Sequence, residues 1–343
     1  MRPSWKPVWR ALLTRSRLHR LLHRTLHRRA VTIVMYHGIV DSPPGIEDWC
    51  FLDAASFRLQ VDYLARHFAV LPLSEAAERL AAGGLGGPTA VITFDDGLQS
   101  QHDLAWPVLR ERKLPATIFL ATGLVGTEDT VWYARLDRAL AQTTMSRLEW
   151  NAEHFDLTSA GGKATAARVL QARLKALPHP RLLRELRELL LALGADPLRA
   201  VGVDSPYRVL SREAVAEMAA SGQVEFGAHT HSHAILAHLP PEEADREIQE
   251  SLEVVQALTG RPCRLFSYPN GREEDYDRRT MLALQTRGVR AAVTTRPGPN
   301  DSRTPPLELR RYGVGWGVTM PEFELMVHHW PCRAERASPH PRR

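Results

Sequence analysis

Short runs of consecutive apolar and β-branched residues recur along the chain, and longer stretches with helical spacing of their apolar positions lie between them. Runs this short and this continuously apolar predict strands that are buried on both faces, as in a parallel sheet. We predict seven strands, at residues 31–36, 69–71, 90–94, 116–121, 224–228, 264–268 and 291–295.

The stretches between these strands predict helices, at residues 55–67, 104–112, 242–258 and 278–287. The repeated order of a strand and then a helix predicts an α/β fold with a parallel sheet. About seven such repeats predict a closed or nearly closed barrel, in which functional residues follow the strands.

One segment, residues 132–205, interrupts this order between the fourth and fifth predicted strands. It contains no convincing strand, and residues 168–193 are rich in Leu, Ala, Arg and Glu, which favours a helix. We interpret the segment as an α-helical insertion at the barrel mouth, ending around Pro197, Gly202 and Pro206. The barrel then spans residues 31–330, and residues 331–343 predict a flexible tail.

The basic charge of the chain is concentrated at its start. Residues 1–30 carry nine Lys and Arg side chains, and no acid occurs before Asp41, so removing this arm turns the net charge of +5 negative. We therefore do not expect the body of the protein to bind nucleic acid. The three cysteines are far apart and form no CxxC pair, which argues against a disulfide framework or a thiolate metal site.

The arm contains apolar residues at roughly helical spacing, among them Trp5, Trp9 and Leu12. Arginines and histidines interrupt every run that could act as a signal peptide or span a membrane. The arm could lie on an anionic membrane surface as a basic helix, or it could be solvated or packed on the protein. Without a signal, the sequence favours a cytoplasmic or membrane-associated location.

Two adjacent carboxylates, Asp95 and Asp96, follow the third predicted strand and precede Gly97. Like charges this close are costly in a half-buried position unless a cation or a proton compensates them. A divalent metal on one carboxylate would do so and leave the other free to accept a proton. The alternative is a helix N-cap, because Asp is common before a helix.

Three histidines, His229, His231 and His233, follow the fifth predicted strand. If the chain turns helically here, His229 and His233 face the same way and His231 points elsewhere. Imidazole pairs at this spacing are common zinc ligands. Together with one carboxylate they would leave a fourth position for water, which becomes a nucleophile near neutral pH when metal-bound.

The segments TFDDG at 93–97, HTHSH at 229–233 and YPNG at 268–271 resemble motifs of the polysaccharide deacetylases of the NodB-homology type, carbohydrate esterase family 4. The resemblance covers roughly residues 31–315. It implies a distorted (β/α)7 barrel and a metal-bound water that attacks an acetamide. It also implies that Asp95 is the base and that Asp96, His229 and His233 bind the metal.

The resemblance extends to the substrate groove. Tyr268, Pro269 and Asn270 are similar to the third family motif, which implies that the Tyr268 backbone N–H donates to the oxyanion. Tyr36-His37-Gly38 is similar to the start of exopolysaccharide-associated and poly-N-acetylglucosamine deacetylases, and this similarity places His37 at the barrel mouth. The alternative for His37 is an ordinary histidine at a strand end.

Arg311 follows the last predicted strand and resembles an arginine that pairs with the catalytic carboxylate, although a surface position is the alternative. The late Leu-x-Leu-His run that supplies a general acid in the family is missing, and the context of His328 and His329 does not match it. The two candidates for the group that protonates the leaving amine are therefore His37 and a metal-bound water. Trp132 and Tyr133 could stack on a sugar or pack in the core.

We therefore predict a metal-dependent hydrolase of carbon–nitrogen bonds other than peptide bonds. Its substrate would be an amino-sugar polysaccharide, such as one of β-linked N-acetylglucosamine units, and its metal would be zinc, with nickel, cobalt or iron as alternatives. The family resemblance also makes a location outside the cytoplasm an alternative. Competing hypotheses are a same-fold hydrolase of a non-glycan amide or an O-acetyl ester, and an inactive glycan-binding module.

Overall fold

The central feature of the protein is a curled sheet of parallel strands, seen in a computed structural model that describes residues 18–42, 48–202 and 204–330. Seven strands form the main path of this sheet, in the order β11-β10-β9-β6-β5-β1-β12. An eighth strand, β4, pairs with β5 and lies off this path. The strands are β1 (Val31–Tyr36), β2 (Gly38–Val40), β3 (Phe51–Asp53), β4 (Ala69–Val70), β5 (Thr89–Phe94), β6 (Ala116–Leu120), β7 (Arg147–Trp150), β8 (Glu153–Asp156), β9 (Val224–Ala228), β10 (Leu265–Ser267), β11 (Ala291–Val293) and β12 (Tyr312–Gly313).

Helices surround this sheet. A π-helical turn (Gln101–Ala105) and two short 3₁₀ turns (Thr122–Leu124 and Leu236–His238) accompany them. The helices are α1 (Leu18–Leu26), α2 (Ala54–His67), α3 (Leu73–Ala81), α4 (Trp106–Glu111), α5 (Trp132–Gln142), α6 (Ala160–Lys175), α7 (His179–Ala192), α8 (Arg212–Ala220), α9 (Pro241–Thr259), α10 (Arg278–Thr286) and α11 (Met320–Val327).

The two edges of the sheet approach each other, because Val293 at the end of β11 forms a parallel bridge with Leu309, shortly before β12. Parallel pairing of all path strands and this near-closure confirm the predicted α/β fold, a distorted barrel. Six of the seven predicted strands lie on the path. The prediction at 69–71 corresponds to the side strand β4, and the two-residue strand β12 was not predicted, because it is too short to show a pattern.

Alternate strand residues divide the core into two parts. Ile33, Val91 and Phe119 belong to a small cluster on the concave face of the sheet, closed by Leu73 from α3. Their neighbours along the strands pack outwards against the surrounding helices in the larger cluster. Both faces are therefore dry, which explains why the strands read as continuously apolar.

The insertion begins with α5 and contains a β-hairpin followed by two helices, α6 and α7. The expectation that it lacks strands is wrong: β7 and β8 pair antiparallel, with Leu148 opposite Phe155 and both side chains buried. The helix predicted at 168–193 is also divided, because Pro178 precedes α7 and cannot continue α6. Apolar side chains from the three helices pack together, including Leu136, Leu170 and Leu186.

The described end of the basic arm packs on the protein. In α1, His19 and His23 are buried, and the Arg20 guanidinium lies 3.2 Å from Glu324 in α11. The predictions for residues 1–17 and for the tail at 331–343 lie outside the described residues. Cys50 and Cys263 are buried free thiols, and no described helix is long and apolar enough to cross a bilayer.

Candidate metal centre

The predicted site residues meet at one end of the barrel because each follows a strand. Register pairs Tyr36 with Phe94, so that His37 and Asp95 leave the sheet side by side. Leu120 pairs with Ala228, and the His229 N–H donates to the Leu120 carbonyl oxygen at 2.8 Å. The carboxyl ends of β1, β5 and β9 thus carry the site, as expected for a barrel of this type.

Asp96, His229 and His233 form a buried group whose potential ligand atoms all lie within 4.8 Å of one another. The Asp96 Oδ1 atom is 3.5 Å from His229 Nε2 and 3.2 Å from His233 Nε2. Of the groups of three or more possible metal ligands sought among the described residues, this is the one found. The structure therefore brings together the three side chains that the sequence predicted as ligands.

The backbone at this site is not helical. Asp96, Thr230 and His233 have φ angles of 68°, 59° and 58°, in the left-handed region that non-glycine residues rarely adopt. The expected helical turn at 229–233 is therefore wrong. The left-handed residues turn the loop instead, and they bring the rings of His229 and His233 to a centroid distance of 4.9 Å.

Gly97 is required by the same turn. Its φ is 67°, and a Cβ atom there would lie 2.7 Å from the Leu120 side chain. The alternative interpretation of Asp95-Asp96 as a helix cap does not hold, because the next helical turn begins at Gln101 and Ser100 precedes it.

The donor set fits a divalent cation. Asp96 Oδ1 is buried and has no hydrogen-bond partner. Ligand atoms bound at 2.0–2.2 Å in a tetrahedral zinc site stand roughly 3.4 Å apart, which agrees with the two oxygen–nitrogen distances here. Burial acts to raise the pKa of Asp96, but the imidazoles of His229 and His233 beside it outweigh burial and leave the pKa well below its usual value.

Two outer contacts orient these side chains. His229 Nδ1 lies 2.7 Å from the Ser267 carbonyl oxygen, so that bond places its proton on Nδ1 and leaves Nε2 free for a metal. The Tyr133 hydroxyl donates a short hydrogen bond to Asp96 Oδ2. Burial and the nearby Asp96 raise the pKa of Tyr133 well above its usual value, so it remains a donor.

Asp95 is held apart from this group by Arg311. The guanidinium Nη1 and Nη2 donate to Asp95 Oδ1 and Oδ2, each at 2.7 Å, and both residues are buried. Burial acts to raise the pKa of Asp95, but Arg311 and His229 outweigh it and lower the pKa below its usual value. Arg311 thus lies where the resemblance placed it, beside Asp95 and away from the surface.

His37 lies at the barrel mouth, and its Nε2 is 3.9 Å from Asp96 Oδ2. Its Nδ1 is buried without a hydrogen-bond partner, and its ring contacts Trp49 edge to face. Burial lowers the pKa of His37, although Asp96 and Asp95 oppose that effect. The imidazole is therefore neutral at pH 7.

The third motif is placed differently from the expectation. The Tyr268 N–H already donates to the Val293 carbonyl oxygen at 3.2 Å, so it is not available for an oxyanion, and its ring stacks on Tyr276. Pro269 is buried behind the site. Asn270 does line the cleft, and its side-chain amide donates to Asp275 at 2.6 Å.

A cleft of about 660 Å³ opens over the metal-binding group. Its apolar wall includes Trp49, Trp132 and Trp330, from three separate parts of the chain. Trp49 and Trp330 are half-buried, whereas Trp132 is buried. An open cleft that combines aromatic walls with converging polar groups is typical of a small-molecule or glycan site.

Sequence reasoning missed the polar contact of Tyr133 and the role of Ser267. Nothing local to Tyr133 marks it as a partner of Asp96, since it comes from the insertion rather than from a strand end. Ser267 could have been found, because it is the last residue of β10 and its hydroxyl lies 3.3 Å from Asp95 Oδ2. Gln171 and Lys175, from α6, also line the cleft and were not singled out.

Comparison with known proteins identifies the family. The sequence profile described as polysaccharide deacetylase matches residues 82–292, which is more than half of the chain. The chain therefore belongs to the polysaccharide deacetylase family, and the predicted hydrolase class is confirmed at the level of that family.

Relatives of known sequence and structure agree. The protein named "Putative polysaccharide deacetylase YxkH" of Bacillus subtilis is 29% identical over 118 residues, 34% of this chain, and the match spans 41% of that relative's length. The deacetylase PplD of Streptococcus pyogenes superimposes with a TM-score of 0.59 at 18% identity, covering 88% of this chain and 99% of PplD. IcaB of Ammonifex degensii gives 0.57 at 20% identity, covering 87% and 97%. These structures establish a shared fold.

Proposed function

We propose that this protein is a metal-dependent deacetylase that hydrolyses N-acetyl groups on an amino-sugar polysaccharide, probed most simply with β-linked N-acetylglucosamine oligomers. The observation that carries the proposal is the pairing of two differently held carboxylates. Asp96 Oδ1 has no hydrogen-bond partner and faces the imidazoles of His229 and His233. The neighbouring Asp95 instead accepts hydrogen bonds from Arg311.

Asp96, His229 and His233 would hold the metal, and zinc is the first candidate because the set has one oxygen and two nitrogen donors. A bound zinc ion lowers the pKa of a water molecule and polarises a carbonyl group. Tyr133 and the Ser267 carbonyl group hold the ligands in place from behind, a type of support that typically changes metal affinity by 10–100-fold.

Asp95 is the general base in this proposal. The two hydrogen bonds from Arg311 keep its carboxylate ionised at neutral pH and fix its plane; Oδ2 also accepts from the Ser267 hydroxyl at 3.3 Å, and Oδ1 retains a lone pair for another donor. Asp95 Oδ2 lies 4.0 Å from His229 Nε2, so the carboxylate stands beside the proposed ligands, where it could accept a proton from a water molecule held there.

His37 is the candidate proton donor to the departing amine. It faces the cleft beside Asp96, and it is neutral at pH 7 because burial lowers its pKa. It must therefore gain a proton during the reaction before it can give one to the nitrogen. The released products are acetate and a free amino sugar.

Acetate release from short N-acetylglucosamine oligomers, measured together with metal content, tests the proposal. Asp95→Asn should abolish acetate release while the protein still binds one equivalent of zinc. Asp103→Asn, which removes an exposed carboxylate away from the cleft, is the matched control and should retain activity. Full activity of Asp95→Asn would overturn the assignment of the base. Parallel assays with O-acetylated glycans identify an esterase, should the protein be one.

A further inference from the structure

Lys175 brings a positive charge into the cleft from the insertion. It is the last residue of α6, it is half-buried, and it lines the same cleft as Asp96 and His233. Within the part of the chain that the structure describes, no carboxylate lies within 4.0 Å of its ammonium group and it makes no hydrogen bond. An ammonium group that is partly removed from water and unpaired is unfavourable.

Two buried acids favour this charge from beyond ion-pairing distance, and each is hydrogen-bonded to another side chain. Both carboxylate oxygens of Asp137 accept hydrogen bonds from Gln171, and burial together with Asp48 raises its pKa well above the usual value. Asp275 is occupied by Asn270, and burial raises its pKa as well. Among the described residues Lys175 therefore faces the cleft without a hydrogen bond or an ion pair to a carboxylate.

Arg310 contributes a second cation of the same kind. It is half-buried, it lines the cleft, and among the described residues its guanidinium forms no ion pair. The other three cleft arginines differ in this respect: Arg311 pairs with Asp95, Arg272 lies 3.8 Å from Glu274, and Arg296 lies 3.5 Å from Glu308. Lys175 and Arg310 thus stand out as cleft cations that lack a protein partner.

We propose that the cleft selects an anionic glycan, with Lys175 and Arg310 binding a carboxylate or phosphate group that a sugar carries near the acetamide to be cleaved. This inference rests on the proposed function and names its substrate class. A charged hydrogen bond to such a group would supply the partner that each cation lacks, and charge-assisted bonds are the stronger ones.

The insertion and the barrel then have separate tasks. Strand ends of the barrel hold Asp95, Asp96 and His229, which act on the acetamide. Lys175 comes from α6 of the insertion and forms no hydrogen bond with any of these residues. Its proposed role is therefore in substrate selectivity and not in the reaction itself. Its loss should therefore weaken the binding of charged substrates far more than the binding of neutral ones.

Two readouts on the 343-residue protein test this inference. Binding is measured by calorimetry on protein freed of metal by chelation, so that no turnover occurs, and KM and kcat are measured on zinc-loaded protein. The probes are hexasaccharides of alternating N-acetylglucosamine and glucuronate, N-acetylglucosamine hexamers bearing 6-phosphate, and neutral N-acetylglucosamine hexamers. We expect at least one anionic probe to bind about tenfold more tightly than the neutral one at low salt.

Variants of Lys175 locate the source of the preference. Lys175→Ala should remove most of it, Lys175→Glu should reverse it, and Lys175→Arg should keep it. Arg173→Ala is the matched control, because Arg173 lies on the same helix, pairs with Glu153 and does not line the cleft. That variant loses the same charge and should keep the preference.

Equal binding of neutral and anionic probes by the unmodified protein would overturn the inference, as would an equal loss in Lys175→Ala and Arg173→Ala. Turnover of the neutral hexamer without any anion preference rejects the inference and leaves the proposed function standing. An anion preference that depends on Lys175, in protein that turns over none of the probes, supports the anion site and rejects the proposed function. The two failures are therefore distinguishable.

Discussion

Arg311 holds both oxygens of Asp95 in a bidentate pair, at 2.7 Å each, inside the barrel. Its three remaining donors are used as well, by the Thr294 carbonyl oxygen at 2.9 Å, the Ser267 hydroxyl at 2.9 Å and the Thr93 hydroxyl at 3.3 Å. Arg311 is completely buried, and its guanidinium lies over the Phe119 ring. A buried charge with every donor satisfied fixes its partner's position as well as its ionisation.

Replacing Arg311 by lysine should impair catalysis more than metal binding. Lysine keeps the positive charge but cannot make the two parallel bonds, so Asp95 would lose its fixed plane. We expect kcat to fall by about 10–100-fold, as for a misoriented catalytic group, with zinc content unchanged. Acetate release and metal analysis measure the two effects.

Arg311→Ala should go further and cost about 3–5 kcal/mol in the free energy of unfolding, because it leaves a buried carboxylate without its partner. Arg303→Ala provides the comparison, since Arg303 is 88% exposed and pairs with Asp301 at the surface. That change should leave the free energy of unfolding nearly unchanged, because solvent screens an exposed ion pair. Equal costs in the two variants would show that the buried pair has no special effect on stability.

Tyr133→Phe should weaken metal binding without unfolding the protein. The substitution removes only the hydroxyl that donates to Asp96 Oδ2 and keeps the buried ring. Loss of such an outer contact should lower zinc affinity by about 10–100-fold. Competition with a chromophoric chelator measures the change.

Tyr207→Phe is the control for this experiment. It also removes a buried hydroxyl that donates to a carboxylate, in this case Asp48 at 3.2 Å, which is not one of the proposed ligands. Zinc affinity should be unchanged in Tyr207→Phe. A similar loss in both variants would mean that general loosening of the core, and not the bond to Asp96, sets the affinity.

The sequence predicts the part of this molecule that local patterns encode. Strand β1 was predicted at its observed bounds, because six consecutive buried positions leave a clear apolar run. Asp96, His229 and His233 were found because each immediately follows, or lies in the loop after, a strand of one parallel sheet. Parallel strands end at the same edge of the sheet, so the strand pattern alone predicts that the residues following them lie close together.

Other features depend on contacts between distant segments. Tyr133 meets Asp96 only through the packing of the insertion on the barrel, and nothing in its neighbours along the chain indicates a polar role. The spacing of His229 and His233 suggested a helical turn, but Thr230 and His233 adopt left-handed conformations instead. Either backbone brings the two rings together, so the spacing alone could not distinguish them. Tyr268 likewise looked free in sequence, but pairing with Val293 uses its N–H.

Metal binding should stabilise the fold, and the stabilisation should depend on two of the three histidines in the 229–233 loop. At a zinc concentration one hundred times its Kd, the expected gain is about 2.7 kcal/mol. His229→Ala and His233→Ala should abolish the shift in Tm on adding zinc. Thermal unfolding with zinc and with a chelator measures it.

His231→Ala is the matched control, because this side chain points away from the other two. Its Nδ1 lies 3.1 Å from the Thr122 hydroxyl, and its Nε2 lies 3.9 Å from Glu250 on α9. The zinc-dependent shift in Tm should persist in His231→Ala. Loss of the shift in this variant, with persistence in His233→Ala, would contradict the proposed ligand set.

A second group of histidines lies away from the metal centre and joins the two ends of the described chain. The His23 ring stacks on His329 at a centroid distance of 5.0 Å and meets His328 edge to face at 4.9 Å. Both ring nitrogens of His23 are buried without hydrogen-bond partners. Protonating any of these rings would place a positive charge beside other imidazoles and Phe68.

Burial, with a contribution from neighbouring histidines, lowers the pKa of His23 to about 4 and those of His328 and His329 to about 2. In the unfolded chain these groups titrate near 6.5. Between about pH 6.5 and 4 the unfolded state therefore binds more protons than the folded state, so stability is complete above pH 6.5 and falls as the pH is lowered. We expect the free energy of unfolding to decrease progressively from pH 7 to pH 5.

His23→Phe isolates this effect from the titration of other groups. Phenylalanine fills the same buried space beside Phe68 but takes up no proton, so the pH slope should shrink by about one proton, or about 1.4 kcal/mol per pH unit. Urea unfolding of metal-free protein at several pH values between 5 and 7 measures both slopes. His154→Gln, at a side chain that is 64% exposed, should leave the slope unchanged. Equal pH slopes for His23→Phe and the unmodified protein would contradict the prediction. They would show that His23 becomes protonated in the folded state as readily as in water.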